Sequence, residues 1–204
     1  MTQLYLITDS QLLAGRLLPA VEQALIGGAK LIQYRDKSTN TSKRLHEAQQ
    51  LKALCQRYNV PLIINDDLEL AAQLGVGVHF GQQDGSIALA RQRLGQDAII
   101  GATCHNSLEF AKQAATQGAS YLAFGAFYPS STKPLAQLAQ LDTLTQAKQL
   151  FSLPVVAIGG ITLDNAMPLI DAGANYVAVI SDIFALPTEN ICYRTKAYYL
   201  LSNR

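Results

Sequence analysis

Three cysteines, Cys55, Cys104 and Cys192, stand far apart in the chain and form no CxxC pair. An odd, scattered set excludes a disulfide framework or a zinc-ribbon arrangement and reads as reduced thiols of a cytoplasmic protein. Charge is also scarce: charged residues make up 15% of the chain and the formal net charge is +1. That excludes a nucleic-acid coat, an acidic tail and a disordered chain, so any anion binding must be local. Long apolar runs are missing too, since every apolar stretch is short and broken by Gly or a polar residue, which argues against a membrane span. Met1-Thr2-Gln3 enters Leu4-Tyr5-Leu6-Ile7 with no basic leader or cleavage pattern, so no export signal and a cytoplasmic location are expected. Finally, no GxGxxG follows the first apolar run, which lowers the case for a dinucleotide-binding open sheet.

The chain has 204 residues, 49% of them hydrophobic, and this suits one compact domain over residues 1–204. Strand-like segments fall at Leu4–Thr8, Lys30–Arg35, Pro61–Asn65, Val76–Phe80, Ala98–Ala102, Tyr121–Gly125, Val155–Ile158 and Tyr176–Ile180. Helical patterns lie between them. The clearest runs from about Thr41 to Tyr58, with Leu45, Ala48, Leu51, Cys55 and Tyr58 on one face. Another opens with Asn106 and Glu109 as a cap-like pair. Gly28-Ala29, Gly75-Val76, Gly118-Ala119 and Gly173-Ala174 each precede a strand, as expected of glycines that close the preceding helix. Strands alternating with helices favour a parallel sheet, and eight such units predict the α/β class and a single (β/α)8 TIM barrel over a doubly wound open sheet.

In such a barrel the active site sits at the C-terminal ends of the strands, and unusual polar residues gather there. After the second strand come Gln33, Arg35 and Lys37 at alternating positions, which face one side of an extended chain. One amide and two cations pointing the same way call for an anion. The third strand ends in Asn65-Asp66-Asp67, the fourth leads into Gly81-Gln82-Gln83-Asp84, and the fifth ends at Thr103-Cys104-His105. The sixth opens into Pro129-Ser130-Ser131-Thr132-Lys133, the seventh into Gly159-Gly160-Ile161-Thr162, and the eighth into Ser181-Asp182.

Each of these residues has a purely structural reading. Asp66 or Asp67 can cap the next helix, Asp84-Gly85-Ser86 can be a turn and cap, Gly159-Gly160 a tight turn, and Thr132-Lys133 a solvated loop. His46 reads as a surface residue and His79 as a hydrogen-bonded structural imidazole. Their concentration at seven strand ends is the informative feature. Asp66 and Asp84 suit a Mg2+ ion that keeps several waters and takes its other ligands from phosphate. Arg35, Lys37 and Lys133 suit the same anion, Ser130 and Thr132 add hydroxyl donors, and Gly159-Gly160 with the backbone at Ser181-Asp182 suit a monophosphate. Pattern alone does not choose between Asp66 and Asp67 for the metal.

Together these segments resemble the thiamine phosphate synthase family. The resemblance runs from Leu4-Tyr5-Leu6-Ile7-Thr8-Asp9 to Val177-Ala178-Val179-Ile180-Ser181. It includes the Gln-x-Arg-x-Lys segment at 33–37, Ile64-Asn65-Asp66, Gly77–Asp84, the loop at 129–133 and Val156–Ile161. It implies a transferase that joins 4-amino-2-methyl-5-hydroxymethylpyrimidine diphosphate to a thiazole phosphate, giving thiamine phosphate and diphosphate. By resemblance, Gln33, Arg35, Lys37, Asn65, Thr103 and Lys133 contact the pyrimidine diphosphate, with Arg35, Lys37 and Lys133 stabilising the leaving group. Asp66 and Asp84 hold Mg2+, Ser130 and Thr132 contact the thiazole side, and Gly160 and Ser181 hold its phosphate. The chain departs mildly from the family pattern, with Ala126 in place of a common Pro and Thr103 in place of a frequent Ser. At Ser181 some relatives carry His, which puts the backbone there ahead of the side chain.

The implied partners are these two small molecules, with no nucleic acid and no membrane. Homo-oligomerisation stays open, because Tyr193, Tyr198, Tyr199 and Leu200 suit either the barrel wall or another subunit. The rival readings are a thiazole tautomerase on the same barrel, for which His105 is the candidate acid–base group, and a non-catalytic ligand-binding relative. A tautomerase would not need Gln33, Arg35, Lys37, Asp66, Asp84 and Lys133 together.

Overall fold

A computed structural model describes residues 1–129 and 138–201. Eight parallel strands close into a barrel in chain order. The first half runs β1 (Gln3–Ile7), α1 (Leu17–Ile26), β2 (Leu31–Tyr34), α2 (Thr41–Arg57), β3 (Leu62–Asn65), α3 (Leu68–Leu74), β4 (Gly77–Phe80) and α4 (Ile87–Leu94). The second half runs β5 (Ile100–His105), α5 (Leu108–Thr116), β6 (Tyr121–Gly125), α6 (Leu141–Leu150), β7 (Val155–Ile158), α7 (Met167–Asp171), β8 (Tyr176–Val179), α8 (Ser181–Phe184) and α9 (Thr188–Leu201). This is the (β/α)8 barrel that the alternating pattern predicts.

The strands are buried on both faces, which is why they read as near-continuous apolar runs. Leu6, Ile32, Ile64, Val78 and Leu122 face the helices, where the larger apolar layer lies. Tyr5, Ile7, Leu31, Ile63, Tyr121, Val156 and Ala178 fill the barrel itself. Period two decides which residues go inward, and the register carries that choice from strand to strand. Tyr5 pairs with Leu31, Ile63 with Gly77, and Gly101 with Tyr121.

Element boundaries follow the expected chemistry with two differences, one at a helix cap and one in a strand. α2 covers Thr41–Arg57 and buries Ala48, Leu51, Leu54 and Cys55. Gly75 ends α3 in the left-handed region at φ 62°, and Gly28, Gly118 and Gly173 also carry positive φ after their helices. The cap of α5 is not Asn106: Ser107 accepts from the Phe110 N–H at 3.2 Å, while the Asn106 side chain accepts from the Gln140 N–H. Strand five also runs later than its apolar stretch, over Ile100–His105, with a register irregularity between Thr103 and His105. Thr103 is therefore within a strand and not beyond its end.

α9 lies against α1. Gly27 allows this approach, because a Cβ there would stand 2.6 Å from the Thr195 Cβ. Tyr198 is buried against the barrel layer, whereas Tyr193 is 81% exposed. Among the described residues no helix is long and apolar enough to cross a membrane.

Candidate active site

The mouth formed by the C-terminal strand ends has two unlike halves. In the first, β2 ends at Tyr34, so Arg35 and Lys37 project from the following loop. The Arg35 N–H donates to Thr8 Oγ1 at 2.9 Å, and its guanidinium lies 3.7 Å from Asp9 Oδ2. Between the two cations Asp36 turns to the other side, where it is buried. Its carboxylate accepts from Lys43 Nζ at 2.6 Å and the Ser38 N–H at 2.7 Å. Burial acts to raise this carboxyl, but those hydrogen bonds outweigh it and hold it below the usual carboxylate range. The loop bearing Arg35 and Lys37 is thus tied to α2.

The ambiguity at the end of β3 is resolved by partners. Asp67 caps α3, accepting from the Leu70 N–H at 2.9 Å, and takes Arg44 Nη2 at 2.7 Å on its other oxygen. Asp66, held in the left-handed region at φ 62°, accepts from Asn65 Nδ2 at 2.6 Å and from the Gly81 N–H. Gly81 is where the two predicted metal ligands meet, because a Cβ on it would fall 2.2 Å from Asp84 Oδ2. Burial first, and then the charge of Asp84, push the Asp66 carboxyl above its ordinary value, with Lys37 opposing from nearby. Asp66, Asp84 and Lys37 therefore share one small region. Ser86, and not Asp84, caps α4.

This arrangement fits a divalent cation. A carboxylate pushed up by burial and by a neighbouring carboxylate is relieved by a dication placed between the two. Among the described residues no cluster of three or more His, Cys, Asp or Glu could hold a metal. A two-carboxylate site that completes its shell with water and phosphate is the Mg2+ pattern.

Gln33, which by resemblance contacts the pyrimidine diphosphate, lies inside the barrel. It is only 2% exposed, and its amide donates to the Tyr5 hydroxyl at 2.5 Å inside the barrel. Thr103 Oγ1 bonds His79 Nε2 at 2.9 Å, and the Thr103 carbonyl accepts from Gln82 Nε2. His79 is the hydrogen-bonded interior residue the sequence suggests. His46 is exposed on α2, and His105 is exposed at the end of β5.

The second half is made of backbone. Gly159 and Gly160 have φ of 103° and 64°, and a Cβ on Gly160 would lie 2.4 Å from the Pro129 carbonyl. Glycine there serves both the turn and the close passage of the loop after β6. The Asn165 side chain holds this turn, donating to the Gly160 carbonyl at 3.0 Å and accepting from the Thr162 N–H at 2.8 Å. Ser181 opens α8 and is exposed. Asp182, which sequence reasoning assigned only a backbone role, has a fully engaged side chain. It accepts from the Leu163 N–H at 3.2 Å, from Arg194 Nε and Nη2 at 3.0 and 2.8 Å, and from the Tyr198 hydroxyl at 2.6 Å. The loops after β7 and β8 are thereby joined to each other and to α9. Tyr5, Asp9, Tyr121 and Arg194 were missed, because isolated tyrosines, aspartates and arginines carry no spacing signal, whereas Tyr198 takes the barrel-wall alternative that the sequence offers.

Ser130, Thr132 and Lys133 lie outside the described residues. A surface cavity at the opposite end of the barrel, lined by Lys52, Cys55, Val60, Leu62 and Ala98 among others, brings no comparable convergence of carboxylates and cations.

Comparison with known proteins identifies the fold and the family. The chain is similar to the thiamine phosphate pyrophosphorylase of Pyrococcus furiosus at 32% identity, with 98% of this chain and 95% of that chain covered and a TM-score of 0.88. The thiamine phosphate pyrophosphorylase of Bacteroides thetaiotaomicron shares the fold at 17% identity, covering 99% and 98% of the two chains with a TM-score of 0.73. The native KDPGal structure shares it at 16% identity, covering 100% and 95% with a TM-score of 0.72. A family model for thiamine monophosphate synthase matches residues 4–183, and the chain belongs to that family.

Proposed function

We propose that this barrel condenses 4-amino-2-methyl-5-hydroxymethylpyrimidine diphosphate with a thiazole phosphate, releasing diphosphate and forming thiamine phosphate. The observation that carries the reading is the meeting of Asp66 and Asp84 at Gly81 beside Lys37. A pair of carboxylates next to a cation suits a metal-assisted diphosphate. When bound there by Asp66 and Asp84, Mg2+ supplies charge neutralisation to the diphosphate.

The remaining work belongs to the chain's own groups. The bond from the pyrimidine's methylene carbon to the diphosphate oxygen breaks, and its electron pair leaves with the diphosphate. The electron-rich aminopyrimidine stabilises the resulting cation, and the thiazole nitrogen donates its lone pair to the same carbon. This chemistry asks for no protein nucleophile. It asks for cations at the leaving group, which Arg35, Lys37 and Lys133 supply, and for reactants held face to face away from water. The Asn65, Thr103 and Gln33 region receives the pyrimidine. Ser130 and Thr132 contact the thiazole side, and the backbone at Gly160 and Ser181 receives its phosphate.

The direct test mixes both substrates with Mg2+ and follows diphosphate and thiamine phosphate. Appearance of neither product refutes the reading. Lys133→Ala is expected to lower turnover by about 10²–10³ with the fold intact, and near-normal turnover in that variant removes Lys133 from leaving-group stabilisation.

A further inference from the structure

Inside the barrel, Tyr5, Tyr121 and His79, which the proposed reaction does not itself use, link Gln33 to Thr103. Gln33 Nε2 donates to the Tyr5 hydroxyl at 2.5 Å, and Tyr5 and Tyr121 hydroxyls are 2.9 Å apart. The Tyr121 hydroxyl meets His79 Nδ1 at 2.8 Å, and His79 Nε2 meets Thr103 Oγ1 at 2.9 Å. The rings are arranged to suit, with Tyr5 edge-on to Tyr121 at 84° and His79 stacked on Tyr121 at 17°. Gly101 keeps the middle open: a Cβ there would stand 2.2 Å from the Tyr121 hydroxyl and 2.4 Å from His79 Nδ1. Its φ is not in the left-handed region, so the glycine is needed for space.

Hydrogen bookkeeping makes this line directional. Burial raises both the Tyr5 and Tyr121 hydroxyls far above the ordinary tyrosine value, so each keeps its single proton. Only one hydrogen can lie between two oxygens. With Gln33 donating to Tyr5 and His79 neutral, both hydroxyl hydrogens are used within the line when Tyr5 donates to Tyr121 and Tyr121 to His79 Nδ1. His79 then carries its proton on Nε2 and donates to Thr103, whose own hydroxyl hydrogen is left for a ligand. In the reverse state every hydrogen flips, and Gln33 must offer its carbonyl oxygen to Tyr5.

We propose that Tyr5, Tyr121 and His79 are positioning residues forming a directional hydrogen-bond relay that couples the donor–acceptor pattern Gln33 shows the aminopyrimidine to the pattern Thr103 shows it. The proposal rests on the reading above, in which both end residues contact the pyrimidine diphosphate. A ring bearing an amino donor beside nitrogen acceptors is selected by one such pattern and rejected by its inverse. An unpaired buried partner is costly, which gives the relay its discriminating power.

Coupling between Gln33 and Thr103 that is lost when the line is cut is the measurable signature. In the wild-type background, Gln33→Ala and Thr103→Ala are expected to raise KM for the pyrimidine diphosphate by factors that do not multiply in the double variant, departing by about fivefold or more. In a Tyr121→Phe background the same two effects multiply. Tyr121→Phe alone raises KM for the pyrimidine diphosphate about tenfold and leaves KM for the thiazole phosphate unchanged; Tyr5→Phe replaces it should that variant not fold. Multiplicative behaviour in the wild type, or equal changes in both KM values, overturns the relay. A second readout is independent of turnover. Nitrogen-15 NMR of the histidine rings at neutral pH should show His79 in one tautomer in the wild type and in exchange between tautomers in Tyr121→Phe. A tautomer mixture in the wild type overturns the relay even if the condensation reaction is observed. A single tautomer in a protein that makes no thiamine phosphate leaves the relay standing and refutes the function.

Discussion

The two halves of the barrel mouth, where we propose that the two phosphate groups bind, are built by opposite means. Around β2, β3 and β4 the tools are side chains: Arg35, Lys37, Asp66 and Asp84, with the two carboxylates meeting at Gly81. Around β7 and β8 the tools are backbone turns at Gly159-Gly160 and Ser181, and the side chains serve to hold those turns in place. The first half can be altered one charge at a time. The second depends on Asp182, Arg194 and Tyr198, and the latter two sit on α9, beyond the residues 4–183 that the family model matches. Charge is thus built locally, whereas backbone geometry needs support from far along the chain.

The largest break in this comparison comes from the charged half. Asp66→Asn is expected to lower turnover by about 10²–10³ and to abolish its response to Mg2+, measured as initial rates over a Mg2+ titration. Turnover within a few-fold of normal would remove Asp66 from the metal site. The backbone half should respond more gently and more selectively. Arg194→Ala is expected to raise KM for the thiazole phosphate roughly three- to tenfold, because the loop geometry loosens while its hydrogen-bond donors remain, and to leave KM for the pyrimidine diphosphate unchanged. Equal changes in both would show that α9 supports the whole barrel instead of one half.

A smaller effect separates the adjacent aspartates. Asp67→Ala removes a helix cap and an ion pair, so a loss of about 1 kcal/mol is expected, or about 2–4 °C in Tm for a chain of this length, with the Mg2+ response intact. Metal-free Asp66→Asn should shift the other way. The unfolded chain ionises Asp66 near 3.8, while burial and Asp84 raise its folded value. The folded state therefore binds the extra proton, and its stability falls as pH rises from 3.8 through that raised value. Removing the charge should lift Tm by roughly 1–4 °C at neutral pH without Mg2+, checked by calorimetry in chelator. The same raised value lets protons compete with Mg2+, so apparent Mg2+ affinity should fall on acidification at a higher pH than in Asp84→Asn.

Much of the barrel is legible in the chain. Val155–Ile158 and Tyr121–Gly125 match their apolar runs residue for residue, because strands buried on both faces must be apolar throughout. Strand five does not, since Thr103 and His105 lie in the irregular part of β5 and break its apolar pattern. In the site, Gln-x-Arg-x-Lys and Asp84 stand out as polar residues at apolar boundaries. Asp182 was visible at a strand end, but its partners Arg194 and Tyr198 are ordinary surface-type residues of a helix until the fold closes α9 over it.

The sequence by itself determined the order of strands and helices and the end of the barrel where polar residues gather. These follow from local periodicity and from the few residues that can end a helix. Only the tertiary structure decided that Asp66 and not Asp67 meets Asp84, that Gln33 bonds Tyr5 inside the barrel, and that a C-terminal helix holds the loops after β7 and β8. Each of those choices depends on which partner lies within hydrogen-bond reach, and reach is a property of the closed barrel.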